Sequence, residues 1–278
     1  DHRDLHSFPT RRSSDLCPFH CIFCSTPHGG CRLRSTANLV DEMESCLGRG
    51  AEELHFVDDT FNLRAERIGE VSAEILRRGL DVRWSLRARV DRVDPESLAL
   101  ARRAGCIRIH YGIETGTDEG LRALRKGITV GQAAQAIAWT REAGITTAAY
   151  FLIGCPHERT RGDVLRTIDF ARRIGPDYAM FNVLAIYPHT ELHAMAVARG
   201  LVPGGEWEPF VRDPRPDFRL RFWEESMSAA ELTSLLRLAY RRFYLRPSVV
   251  WRQLRGLGSP GELRHKASAA LALLGGRG

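Results

Sequence analysis

Long apolar runs are what this chain most plainly lacks. None approaches the ~18 residues that a membrane-spanning helix needs, and no basic stretch leads into the apolar core of a secretory signal. Lysine is almost missing too. Lys126 and Lys266 are the two lysines among 40 basic residues, so arginine carries the charge, which reflects base composition of a genome better than a recognition surface. Like charges never form a block, although the net charge is +6. The seven cysteines do not form the framework of a short disulfide-stapled secreted chain. Three of them are clustered, which fits thiols kept reduced in a cytoplasm. What remains is the composition of a globular protein, 44% hydrophobic and 27% charged. At 278 residues the chain can form one α/β barrel, or a domain with an appendage.

The clustered cysteines are Cys17, Cys21 and Cys24 in Cys-Pro-Phe-His-Cys-Ile-Phe-Cys, a C-x3-C-x2-C spacing with aromatic Phe23 before the last. Soft thiolates suit iron–sulfur clusters, and three of them on one loop would leave one iron of a four-iron cube with an open position for chemistry. A zinc site with His20 or His28 as fourth ligand is the other donor set open at this point.

Residues 1–16 show no helical or strand period, and His6 to Leu16 resembles a translated sequencing adapter. They are read as a non-native leader, with the native chain beginning near Cys17 and its N-terminal part lost. Residues 17–200 are read as a core barrel. The runs Glu53–Val57, Val82–Leu86, Ile107–Ile113, Thr146–Ile153 and Tyr178–Ile186 have the apolar, β-branched character of buried parallel strands. Helical patterns over Leu39–Gly48, Arg64–Arg78, Pro95–Ala104, Thr129–Ala143 and Thr160–Ile174 alternate with them, and Gly79, Gly105, Gly144 and Gly175 stand as C-terminal caps. This order predicts right-handed βαβ units around a parallel sheet. The first barrel strand is expected to run straight into the cysteine loop.

In parallel barrels, ligand groups gather at the C-terminal ends of the strands. Those positions hold Asp58-Asp59-Thr60-Phe61-Asn62, Arg87-Ala88-Arg89, Glu114-Thr115-Gly116, Gly154-Cys155-Pro156-His157-Glu158 and Tyr187-Pro188-His189-Thr190. Each has a plainer reading. Asp58 or Asp59 can cap the next helix; Glu114 can pair with Arg87 or Arg89. Cys31, Cys46 and Cys106 read as ordinary small hydrophobes or surface thiols, and Cys155 as a core or turn residue.

From Cys17 to about Arg246 the chain resembles the radical S-adenosylmethionine (SAM) enzymes. The resemblance implies an α/β fold, a partial open parallel (β/α)6 TIM-like barrel with a C-terminal helical extension. It also implies a [4Fe–4S] cluster on Cys17, Cys21 and Cys24, and SAM chelated to the open iron and cleaved to a 5′-deoxyadenosyl radical. Asp58 and Asp59, in Phe56-Val57-Asp58-Asp59-Thr60-Phe61, match the motif contacting the SAM amino group. Glu114, in Gly112-Ile113-Glu114-Thr115-Gly116, matches one reaching the ribose or amino group; Lys126 matches a basic residue on the SAM carboxylate. Gly154, in Ile153-Gly154-Cys155-Pro156, matches the turn beside the adenine, but His157-Glu158-Arg159 departs from the pattern of relatives there. No residue is singled out as catalytic.

Asp58 to Asn62, Trp84 to Arg89 and Arg242 to Pro247 further resemble members with a cobalamin (B12)-binding domain before the barrel, among them methylases of unactivated carbon and a tetrapyrrole ring cyclase. Cobalamin is thus expected only in a full-length protein whose N-terminal domain is truncated here. The implied function is a radical SAM methyltransferase or cyclase acting in the cytoplasm on a small-molecule or lipid-like substrate, with an electron donor such as flavodoxin or ferredoxin. The alternatives are a cobalamin-independent radical enzyme modifying RNA or a peptide, and a non-catalytic zinc module.

Residues 201–278 read as a linker and helical extension. Ser228 with Glu231 forms a capping-box pattern that opens a helix running to Tyr244. The segment carries 13 Lys and Arg against 8 Asp and Glu, interleaved with aromatics. Nucleic acid, an anionic membrane surface and a helix packed on the barrel all fit that pattern; the last is the expected one, and nucleic acid is not the expected partner.

Overall fold

The computed structural model describes residues 14–15, 17–26, 32–216, 218–247 and 249–250. Most of the leader, His28, Cys31 and the extension beyond residue 250 therefore lie outside the described residues.

In chain order the elements begin with β1 (Ser14–Asp15), β2 (Arg32–Leu33), α1 (Thr36–Gly48), β3 (Glu53–Phe56), α2 (Arg67–Arg77), β4 (Arg83–Ala88), α3 (Pro95–Arg103) and β5 (Cys106–Glu114). There follow α4 (Asp118–Ala123), α5 (Val130–Glu142), β6 (Thr146–Ile153), α6 (Arg161–Ile174), β7 (Tyr178–Val183), α7 (Glu191–Ala198), α8 (Trp207–Arg212) and α9 (Ala229–Tyr244). Strands β3 to β7 form an open five-stranded sheet in sequence order, and β1 pairs antiparallel with β2. The five strands are those the sequence predicts, and no closed barrel forms among the described residues, as a partial barrel requires.

The described residues fall into two compact units, those within 1–20, 26–113 and 127–149 and those within 21–25, 114–126 and 150–278. In the first, β3 and β4 pair in parallel, as do β4 and β5. One face of these strands is apolar: Leu54, Phe56, Trp84, Leu86, Ile109 and Tyr111 are buried. Trp84 Nε1 donates to Ala104 O at the end of α3, and the Tyr111 hydroxyl bonds Thr140 in α5, so the polar tips of both rings are satisfied inside the core. Asp94 caps α3 by accepting from Ser97 N, with Pro95 at the first helical position where its missing N–H does no harm. Arg67 is buried in α2, yet it donates to Thr36 Oγ1 and Arg34 O and so ties α2 to the start of α1.

The second unit holds β7 and α9. Capping boxes open α6 at Thr160 and α9 at Ser228, the latter as the sequence predicts. Tyr244 and Tyr240 of α9 turn inward. The Tyr244 hydroxyl accepts from Ala179 N and donates to Ala179 O, and Tyr240 does the same with Phe181. The aromatic residues of this helix are thus packed on the sheet. Strand β7 ends at Val183, three residues before the predicted Ile186, because Ala185 bridges antiparallel to Phe222 and Ile186 N donates to Arg221 O. No helix among the described residues is long and apolar enough to cross a membrane.

Candidate functional site

Residues 17–20 of the cysteine loop belong to the first unit and residues 21–24 to the second. In the first, the Phe19 ring lies under the Arg89 guanidinium at 3.6 Å, and Cys17 Sγ is 3.8 Å from Thr60 Oγ1. Arg89 is itself held by Asp91, with Nε 2.9 Å from Oδ1. In the second, Ile22 N donates to Leu124 O and Ile22 O accepts from Leu192 N, fixing the main chain between Cys21 and Cys24. Cys24 N donates to Cys21 O across that turn. The Ile22 side chain is buried with Leu124, Cys155, Leu184, Ile186 and Leu192, and Phe23 packs against that cluster.

Cys17 and Cys24 are half-buried and Cys21 is buried, and none of the three is in a disulfide. Among the described residues no three His, Cys, Asp or Glu side chains gather closely enough to hold a metal ion. The donor set nonetheless fits an iron–sulfur cluster chemically, with three soft ligands on one loop whose backbone is fastened by Phe19 and Ile22.

Of the residues following β3, Asp58 is buried and Asp59 half-buried. Asn62 is a strut: its Nδ2 donates to Arg89 O and Arg92 O, and its Oδ1 accepts from Arg89 N. With Phe61 N donating to Arg87 O, the loop after β3 is stapled to the loop after β4.

Glu114 and Lys126 come together in the second unit. Lys126 Nζ lies 2.6 Å from Glu114 Oε1, with side chains 12% and 10% exposed. The sequence weighs Arg87 and Arg89 as partners for Glu114; the partner is Lys126. Glu114 has φ 77°, left-handed backbone that is strained for a residue with a side chain and is a mark of functional positions. It lines a cavity of about 490 Å³ together with Phe23, Leu152, Leu184, Phe222 and Leu236, a mostly apolar chamber with one carboxylate.

Two glycines of the predicted motifs answer to packing. A Cβ on Gly116 would lie 2.6 Å from Phe170 Cβ on α6, and one on Gly154, at φ 74°, would lie 2.8 Å from Leu232 Cδ2 on α9. The segment that departs from the family pattern folds as a tight turn: Glu158 N donates to Cys155 O while Glu158 Oε2 accepts from Cys155 N. Burial pushes the Glu158 carboxyl up to about 7 against the opposing pull of the backbone amides. Cys155 is fully buried in the apolar cluster, its thiol raised by burial; Cys106, likewise buried, is raised to about 12. Both are core residues.

Sequence reasoning missed the strut role of Asn62 and the buried Arg67. It also passed over the polar face of β3, β4 and β5, whose alternation against Leu54, Trp84 and Leu86 was there to be read.

A family model, the Radical SAM superfamily, matches residues 12–171. An uncharacterized methyltransferase of Pyrococcus horikoshii is 33% identical over 238 residues, 84% of this chain and 50% of that protein. The anaerobic magnesium-protoporphyrin IX monomethyl ester cyclase of Cereibacter sphaeroides is 28% identical over 254 residues, 87% of this chain and 39% of that one. Among solved structures, a radical S-adenosylmethionine methyltransferase from Kitasatospora setae with cobalamin and a [4Fe–4S] cluster bound matches with TM-score 0.61 at 25% identity, over 67% of this chain and 36% of that one. The chain spans half the length or less of each.

Proposed function

The chain belongs to the radical SAM superfamily and is an enzyme with the cofactors of that family, a [4Fe–4S] cluster and SAM; on that premise we propose that it functionalises an unactivated carbon of a small molecule held in the cavity of the second unit. The observation that carries this reading is the Glu114–Lys126 pair, one member of which lines the same cavity as Phe23 of the cysteine loop. Cys17, Cys21 and Cys24 would hold the cluster, which supplies the electron that cleaves SAM. Glu114 would accept from the SAM ammonium and Lys126 would donate to its carboxylate, charge-assisted bonds for which their present pairing shows both groups suited. Gly154, whose missing side chain makes room for Leu232, would shape the adenine end. Phe23, Leu152, Phe222 and Leu236 give the substrate an apolar wall that excludes water. When bound, cluster and SAM supply the radical that takes hydrogen from a carbon with no acidic proton.

The outcome is methylation or ring formation, the activities printed in the names of the relatives, with cobalamin as a further cofactor in the former. The family needs an electron donor, and a flavodoxin or ferredoxin fills that role.

The test is anaerobic reconstitution with iron and sulfide. About four irons bind per chain; Cys17→Ala, Cys21→Ala and Cys24→Ala each abolish uptake, and Cys106→Ala does not. The double variant Glu114→Gln, Lys126→Gln assembles the cluster but binds SAM roughly ten- to a hundred-fold more weakly by equilibrium dialysis. Tight zinc binding without iron uptake overturns the reading.

A further inference from the structure

Opposite its apolar side, the β3–β4–β5 part of the first unit presents His55, Ser85, Arg87, Arg108 and His110. Register sets His55 beside Ser85 and Ser85 beside Arg108 in one row, and Arg87 beside His110 in another. Arg108 and His110 reach this face through an irregularity. Trp84 pairs with Cys106 but Ser85 pairs with Arg108, so β5 contains one extra residue and its alternation shifts by one. In regular pairing Arg108 would share the buried side with Cys106. A β-bulge that turns a guanidinium out of the core re-aims a side chain, the use to which bulges near binding sites are put.

The two arginines on this face are short of negative partners. Arg108 Nε is buried without a hydrogen-bond partner, and neither Arg87 nor Arg108 pairs with a carboxylate among the described residues. Glu53, the acid whose charge acts on His55, lies 3.9 Å from Arg83. His55 Nδ1 is 2.9 Å from Ser85 Oγ, and the His55 and His110 rings meet edge to face with centroids 5.2 Å apart. Burial holds both imidazoles neutral at ordinary pH. Arg87 and Arg108 push His55 further down, and His55, Arg108 and Arg87 push His110 down to about 4.

We propose that this face binds the oxyanion group, a carboxylate or phosphate, of a small-molecule ligand. Two guanidiniums whose donors have no carboxylate can grip such a group in bidentate fashion, and the imidazoles and Ser85 add neutral donors.

The test uses the full chain without iron, following the imidazole signals of His55 and His110 by NMR as pH is varied, with inorganic phosphate, succinate or chloride at equal ionic strength. A bound oxyanion raises the His110 midpoint by about one pH unit, and the stronger of phosphate and succinate identifies the source. Arg108→Gln abolishes the rise; Arg87→Gln, at an exposed position, weakens it should the first variant fold poorly. Midpoints unmoved by phosphate and succinate, or moved equally by chloride, overturn the proposal. So does a shift produced by SAM and by neither anion, which assigns the face to the cofactor. Because the measurement needs no cluster, its failure alongside normal iron uptake and SAM binding leaves the proposed function standing.

Discussion

The loops after β3 and β4 in the first unit and the loops after β5 and β6 in the second carry the same kinds of polar residue, but they use them differently. Asn62 and Arg89 are satisfied by their own chain: Asn62 by three main-chain groups, Arg89 by Asp91 and the Phe19 ring. Glu114 faces a cavity, in strained backbone, with Lys126 as its counter-ion. Polar residues at strand ends are therefore of two sorts, struts that shape the rim and groups left available to a ligand, and residue type alone does not separate them. What separates them is whether the hydrogen-bonding capacity is filled by backbone, which a ligand cannot displace, or by another side chain, which it can.

The largest effect that follows is at Asn62. Asn62→Ala removes one amide and leaves two carbonyls and one N–H in the rim short of partners, so unfolding in urea shows a loss of about 3–5 kcal/mol. The double variant Glu114→Gln, Lys126→Gln removes both charges together and changes stability by less than about 1 kcal/mol. Comparable losses at both places would break the distinction.

Glu158 sharpens it from within the second unit. It stands at a strand end, as Glu114 does, but its carboxyl is buried on the Cys155 amide and Thr167, which makes it a strut. Its folded value, about 7, is raised above the ordinary 4.5, so its contribution to stability is complete below about pH 4.5 and is lost as pH rises through about 7. Glu158→Gln keeps an acceptor for Cys155 N and has no charge to bury. Relative to wild type the variant gains about 1–3 kcal/mol between pH 5 and pH 8, measured by denaturant unfolding at each pH. A flat difference across that range would show that the backbone amides, not burial, govern the carboxyl.

The sheet and helices were legible because their signals are local. Apolar runs gave β3 to β7 within a few residues, and Ser228 marked a helix start because its capping box lies within four residues of chain; the helical patterns read from Thr129 and Thr160 prove to open on capping boxes too. The loop of Cys17, Cys21 and Cys24 and the motif at Glu114 were legible through spacing. What was not legible depends on distant partners. Asn62 meets Arg89 and Arg92 across two loops, Arg67 finds Arg34 and Thr36, and the slip between Trp84 and Ser85 exists only once β4 and β5 are paired. The turn at Cys155 looked like a departure in a binding motif; it is closed by Glu158, three residues on, through a carboxylate-to-amide bond that no alternation pattern records.

The smallest effect concerns the strand that the second unit finishes with tyrosines. Strand β7 has β6 as its neighbour in the sheet, and on the other side Ala179 and Phe181 find the hydroxyls of Tyr244 and Tyr240. Each hydroxyl both accepts from an N–H and donates to a C=O, so it covers strand edge that would otherwise invite pairing with another chain. Tyr240→Phe keeps the ring on Phe181 and removes only the hydroxyl, a loss of about 1 kcal/mol. Hydrogen exchange reads it locally: the Phe181 amide speeds up, the Ala179 amide held by Tyr244 changes less, and the β3 and β4 amides of the first unit stay as they were. Faster exchange spreading to β3 and β4 would mean that the two units open together, and that their strand-end residues cannot be sorted by unit at all.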